Sequence, residues 1–343
     1  SNIKSLKGEL KMRKNSAKKE AFKDSVLPFL LNNNIRGRFA RINKSLNDIL
    51  DQHRYPYDVS CLLAEALIIT AMIGQAIKLR WKLSLQIRGN GSIKLIATDY
   101  YAPKKMGEKA QIRGYAKFDD RLRECTSNRP IDFLGKGLFA ILIDQGVRKK
   151  PYQGITPLIG SSLSDCAQTY FEQSEQISTK IDIFCSHSKK GLARSKWSAG
   201  GIMLQRLPNE IKNTQLAEIS SKIENFKSSK EANNGLDQSI MSWSKANFVE
   251  NNFELSELSR ESLTPTDILK KLFRRETILV FNEQKLTFGC SCSKKRVLQA
   301  LSIYSAKDIA TMTDERGNVT ADCQFCGRHH ILRSDKVGFE REK

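Results

Sequence analysis

Two cysteine pairs near the end of the chain constrain its fold more than any other feature. Cys290 and Cys292 form a C-x-C pair, and Cys323 and Cys326 form a C-x-x-C pair followed by Gly327. Thirty residues lie between Cys292 and Cys323. Two thiolate pairs joined by so short a module make a four-sulfur, tetrahedral zinc site that ties the ligand segments together. The second pair has the form of a zinc knuckle, with two ligands on a tight turn and a glycine on which the backbone folds back. The first pair is unusual, because structural sites normally space each pair by two to four residues. One intervening residue crowds the ligands, which hints at a metal site built to come apart.

Spacing alone leaves two readings open. In the first, zinc is purely structural and supplies on the order of 10 kcal/mol or more to a domain otherwise too small to fold. In the second, the sulfurs are also a switch. Thiolates are nucleophiles that oxidants attack, and Lys294, Lys295, Arg296 and Arg328 stand close in sequence, where positive charge favours the thiolate. Within each pair the sulfurs can join. A C-x-C bridge closes a ring near the geometric limit and is readily reduced again. A sulfur in a disulfide no longer offers a thiolate to a metal, and a domain organised by that metal then loses its centre.

The remaining cysteines, Cys61, Cys125, Cys166 and Cys185, have no partner at ligand spacing and read as buried and inert. His329 and His330 follow the knuckle, but four cysteines already fill a tetrahedron. His53 and His187 are isolated and suggest no site.

The chain has 343 residues, enough for two or three domains, and 40% of them are hydrophobic, enough for a substantial core. Eight cysteines, four of them clustered at ligand spacing in a chain this long, suggest a reducing cytosol rather than a secreted disulfide scaffold. The first residues are lysine-rich and carry no apolar core of a signal peptide. The most apolar stretch, 62–74, is short and contains Glu65. Together these features predict a cytoplasmic protein with no membrane partner. The formal charge of +20 raises nucleic acid as a partner. The charge is spread along the chain, however, and a generally basic protein is the simpler reading. No Walker A, H-E-x-x-H or G-x-S-x-G sequence occurs, so the chain reads as a non-enzyme.

The expected fold class is α+β, in four segments: a basic N-terminal arm (1–25), a mixed α/β core domain (26–208), a metastable helical linker (209–262) and a small four-cysteine zinc domain (263–343). Within the core, the stretch from Leu46 should give a helix, a turn and a buried second helix through Leu62, Leu63, Ile68, Ile69, Met72 and Ile73. A hairpin follows, turning at Gly89-Asn90-Gly91. "GLFAILIDQG" is a further strand. A helix is capped near Ser162 or Ser164, with Glu172 and Glu175 on its solvated end. "IDIFC" is a strand, and "AGGIMLQRLP" is a small-residue turn leading into another. In the linker, Leu216, Ile219, Ile223 and Phe226 form only a thin stripe, which is marginal as a helix in water. The last domain starts with a helix capped by Thr264, and Ser305 with Asp308 opens another.

Several of these stretches resemble one family. "FGCSCSKKRV" and "CQFCGR" look like the zinc centre of heat shock protein 33, the redox-regulated holdase chaperones of bacteria. "PYQGITPLIGSSLSDCAQTYFEQSEQI", "NIRGRFARI", the "RGNG" hairpin, "IRGYA" and "AGGIMLQRLP" resemble its N-terminal domain, so the likeness spans roughly residues 26–332. The resemblance implies one zinc ion per chain, held by Cys290, Cys292, Cys323 and Cys326 in an inactive reduced form. It implies that oxidation joins Cys290 with Cys292 and Cys323 with Cys326, releases zinc and unfolds the linker. The oxidised protein would then bind unfolding client polypeptides without ATP, often as a homodimer. The chain departs from the family pattern in its high positive charge, its lysine-rich arm and its long, polar linker.

Overall fold

The computed structural model describes the backbone of Lys4–Ser5 and residues 23–338, except 33, 77–81, 106, 120–121, 123–128, 145, 147–149, 189–195, 207–262 and 275. The expected linker, most of the basic arm and Cys125 lie outside the described residues.

Helix α1 (Lys44–Leu50) leads through a turn to α2 (Tyr57–Ala76), the centre of the molecule. Fifteen residues of α2 between Val59 and Gly74 are buried, Glu65 being the exception. A helix apolar on every side must be enclosed on every side. By length and composition α2 could cross a membrane, yet 83% of its most apolar window is buried in the protein, as in the core helix of a globular domain.

The enclosing structure is a sheet of twelve strands. In chain order these are β1 (Lys4–Ser5), β2 (Ser25–Leu31), β3 (Ile35–Ile42), β4 (Lys82–Gly89), β5 (Ile93–Tyr101), β6 (Ala110–Phe118), β7 (Gly137–Asp144), β8 (Tyr152–Pro157), β9 (Thr179–Ser188), β10 (Lys196–Arg206), β11 (Ile278–Val280) and β12 (Gln284–Phe288). The spatial order is β8-β7-β4-β5-β6-β12-β2-β3-β10-β9, with β11 bridging β1 and β2. β12 joins the two halves, running antiparallel to β2 and parallel to β6. One face of the sheet packs on α2 through residues such as Ile42, Leu85, Ile96, Ile112 and Met203. On the other face, Leu27, Phe29, Phe39, Ile202 and Leu204 are covered by Ile268, Leu269 and Phe273, from or just after α4 (Pro265–Leu272). Helix α3 (Leu163–Tyr170) begins at Ser162, whose side chain accepts from the Asp165 amide.

The capped helices, the hairpin and the alternating strands form as expected, since each follows from local pattern. Three details differ. Ala199, Gly200 and Gly201 are not a turn but the middle of β10, paired with both β3 and β9. They are small because neighbours cross directly over them: a Cβ at Gly200 would enter the Phe184 ring, and one at Gly201 would lie 2.8 Å from Ile68 Cγ2. Glu175 is not simply solvated, since it accepts hydrogen bonds from Tyr152 Oη (2.7 Å) and Tyr170 Oη (2.9 Å). Finally, the segment from α4 to β12, expected to open the zinc domain, is built into the large sheet and its outer face.

Beyond β12 stands a small module: α5 (Lys294–Leu301), α6 (Ala306–Met312) and the hairpin of β13 (Asn318–Asp322) and β14 (His329–Arg333). Ser305 and Asp308 form the expected capping box of α6. The apolar centre of the module is small: Ile309, Val319, Leu332 and Val337 are buried, with the half-buried Val297, Leu298, Leu301 and Tyr304 packed against them. So small a core gives little independent stability, which leaves a structural role for a cross-link.

Candidate metal centre

Sheet register determines where the first cysteine pair emerges. β12 pairs residue by residue with β6, Leu286 opposite Ala110 and Phe288 opposite Ile112, and the Gly289 amide donates to Ile112 O (3.2 Å). The chain then leaves the ladder, which delivers Cys290 beside Arg113. The second pair sits on the turn between β13 and β14. There the Cys323 amide donates to Arg328 O (3.0 Å), the Gly327 amide donates to Cys323 O (2.8 Å), and Gly327 adopts φ +63°. That left-handed conformation suits glycine and lets the knuckle close under its sulfurs.

The four predicted ligands come together. The Sγ atoms of Cys290, Cys292, Cys323 and Cys326 all lie within 4.8 Å of one another, and each residue is half-buried. The shortest contacts run between pairs, Cys290 to Cys323 at 3.7 Å and Cys292 to Cys326 at 3.4 Å. Four thiolates at the usual zinc–sulfur distance of about 2.3 Å in a tetrahedron are about 3.8 Å apart. The donor set and spacing therefore fit a tetrahedral metal ion of the kind that soft thiolate sites hold. Among the described residues no histidine or carboxylate joins this cluster. His329 Nδ1 is engaged with Asp322 (2.7 Å).

The electrostatics of the cluster come from an unexpected source. Lys294, Lys295, Arg296 and Arg328, the sequence neighbours, are exposed, and Arg296 bonds back to Ser291 O (2.9 Å). The cation on the sulfur is Arg113, from β6, with Nη1 donating to Cys290 Sγ (3.4 Å). Arg113 is itself held by Asp99 through Nε (2.7 Å) and Nη2 (2.6 Å), and Lys82 Nζ lies 3.1 Å from the same carboxylate. Taking the four thiols by themselves, burial raises the Cys290 thiol. Hydrogen bonds from the Cys292 amide, Arg113 and the neighbouring sulfurs outweigh it and bring the group down to about 7. Burial, followed by sharing with Cys326 and Cys290, pushes Cys292 up to about 12. The cluster thus contains one thiol primed to ionise and others that resist.

The same side chains dock the knuckle onto the sheet. The Arg113 guanidinium lies 3.8 Å from the centroid of Phe325, and Tyr115 meets that ring edge-on at 4.7 Å. His53, which suggested no site in the sequence, places Nε2 2.8 Å from Gln324 O. Arg113, Tyr115 and His53 had no local signal, since their partners lie far along the chain. Two of the scattered cysteines, Cys61 on α2 and Cys185 on β9, lie on neighbouring elements outside this centre.

Comparison with known proteins agrees with this architecture. The family model described as Hsp33 protein matches residues 24–333. The 33 kDa chaperonin of Caulobacter vibrioides is 27% identical over 315 residues, covering 90% of this chain and 94% of that protein. The protein of the same name from Photorhabdus laumondii is 29% identical over 320 residues, covering 92% and 94%. The crystal structure of the 33 kDa chaperonin of Thermotoga maritima, described as a heat shock protein 33 homolog, superimposes with a TM-score of 0.65 at 18% identity, covering 92% of this chain and 96% of that one. A match to the family model over nearly the whole length, ending in four clustered sulfurs, places this chain in the Hsp33 family.

Proposed function

We propose that the protein is a redox-switched, ATP-independent holdase, inactive while its four C-terminal cysteines hold one zinc ion. The observation that carries this reading is the cluster of Cys290, Cys292, Cys323 and Cys326 within 4.8 Å, on a module with only a small apolar core of its own. Family membership, and relatives named 33 kDa chaperonin, support the chaperone part. Bound zinc would keep the four sulfurs as thiolates and cross-link the β12 exit to the knuckle.

The rest follows from the chain's own residues. Peroxide or hypochlorous acid takes two electrons from each pair and is reduced to hydroxide, or to chloride and hydroxide, while two thiolates become one S–S bond, Cys290 with Cys292 and Cys323 with Cys326. None of these sulfurs then remains a thiolate ligand. The module keeps only its small apolar core, and the docking of Phe325 and Gln324 on Arg113, Tyr115 and His53 is lost with the metal. The linker, 209–262, loses the surface it rests on and melts. Apolar surface then becomes available to unfolding clients in the cytoplasm, with the oxidised protein a homodimer and no catalytic step involved.

The test is aggregation of a heat-denatured client, followed by light scattering, alongside zinc release to a chromogenic chelator and limited proteolysis. Oxidant should produce zinc release, first cleavage within 209–262 and client protection together. Equal protection in strong reductant with the metal retained would refute the switch. Binding of nucleic acid by the reduced protein, weakening steeply with salt, would instead favour a zinc-dependent nucleic-acid binder, the reading that the charge of +20 raises.

A further inference from the structure

The start of α2 lies across β9 and β10 in a regular way. Tyr57, in the first turn, contacts His187 of β9 (6.0 Å between ring centroids) and Trp197 of β10 (5.3 Å), and those two rings stack at 4.3 Å. One helical turn on is Cys61, and two strand residues back from His187 is Cys185. Four helical residues advance about 6 Å and two strand residues about 6.7 Å, so the two steps match in length. The Tyr57–His187 contact therefore repeats with Cys61 facing Cys185, and farther along the same two elements Ile68 Cγ2 and Ile183 Cγ1 flank one point over Gly201, 2.8 and 3.1 Å from where its Cβ would stand. Cys61 is 7% exposed, Cys185 is half-buried, and Tyr57 above them is 56% exposed, so a small oxidant has a short path in.

We propose that Cys61 and Cys185 are a second redox-active thiol pair, separate from the four-sulfur centre, which peroxides convert to a disulfide joining α2 to β9. Each thiol is the largest influence on the other's acidity. The step is written with Cys61 attacking and Cys185 resolving, and the products are the same with the roles exchanged. The Cys61 thiolate attacks one peroxide oxygen, the O–O bond breaks, and hydroxide leaves with Cys61 as the sulfenic acid. Cys185 Sγ then attacks Cys61 Sγ, the sulfenic hydroxyl departs and, with the Cys185 proton, becomes water. In sum, two thiols and one peroxide give one disulfide and two waters. Cys166 serves as an internal contrast. It is fully buried, its thiol is pushed up to about 11 by burial, and it should stay reduced.

The experiment uses the full-length, zinc-loaded protein. It is treated with graded hydrogen peroxide, its free thiols are alkylated, and the digest is read by mass spectrometry while a chelator dye follows metal release. A linked Cys61–Cys185 peptide should appear with the metal still bound and Cys166 alkylated. Cys61→Ser and Cys185→Ser should each abolish that peptide while the C-terminal cysteines still oxidise. Recovery of Cys61 and Cys185 as free thiols across the whole peroxide series would overturn the proposal. So would linkage of either residue to a different cysteine. The main readout is made on the unmutated chain, so a folding defect in a variant cannot obscure it. It also stands whether or not the zinc switch operates.

Discussion

Replacing Phe325 with alanine tests whether the sheet body helps the module keep its metal. The ring contributes a cation–π contact with Arg113, at 3.8 Å and with that residue 8% exposed, and an edge contact with Tyr115 at 4.7 Å. A partly desolvated cation–π contact is worth about 1 kcal/mol or somewhat more, and an aromatic edge contact about 0.5–1.5 kcal/mol. The docking loss is therefore about 2 kcal/mol. If the loaded module docks and the metal-free module does not, docking free energy is part of the apparent metal affinity. At about 1.4 kcal/mol per decade, Phe325→Ala should weaken zinc binding about thirtyfold in chelator competition. The change is clean because Arg113 keeps its two bonds to Asp99, and no charge is left orphaned. Arg113→Ala would not be clean, since Asp99 is 3% exposed and its removal would also weaken the sheet. The body's thermal unfolding should be unchanged in Phe325→Ala. Zinc affinity within about twofold of the parent would show that the module holds its metal without the sheet.

Other measurements probe separate parts of the structure. Cys323→Ser should lower zinc affinity by at least about a hundredfold, more than loss of a supporting contact, and full retention would remove Cys323 from the ligand set. Burial raises the Glu65 carboxyl to about 7 against an opposing hydrogen bond from the Leu163 amide. Its folded pKa lies above the unfolded value, so the native state binds the extra proton. The corresponding stability is present in acid and is lost as pH rises from about 4.5 to about 7. Glu65→Gln should flatten that window in urea titrations, whereas an unchanged slope would show that Glu65 is not its source. Gly201→Ala would place a Cβ 2.8 Å from Ile68 Cγ2 and 3.0 Å from Asp182 O, and should cost about 1–3 kcal/mol of stability by chemical denaturation.

The parts of this fold legible in the sequence are those whose cause is local. Ser162, Thr264 and Ser305 announce helix starts because the cap and the amide it satisfies are three residues apart. Gly89-Asn90-Gly91 marks a hairpin because the alternation on either side is continuous. The four-cysteine cluster was legible because each cysteine pair is local and only the meeting of the two pairs is not. What stayed hidden depends on register between distant strands. Nothing near Cys290 in the sequence names Arg113, because their proximity exists only once β12 has inserted beside β6. The lysines and arginine after Cys292 were the natural candidates for the charge, yet a helix capped at Ser293 turns them outward. The consequence is physical. The guanidinium beside Cys290 is fixed by Asp99 inside the sheet, so the acidity of that sulfur is set by the sheet body as well as by the Cys292 amide. The same guanidinium lies against the Phe325 ring of the knuckle. One side chain of the sheet therefore touches both cysteine segments, and the knuckle is tied to the body at the sulfur cluster itself.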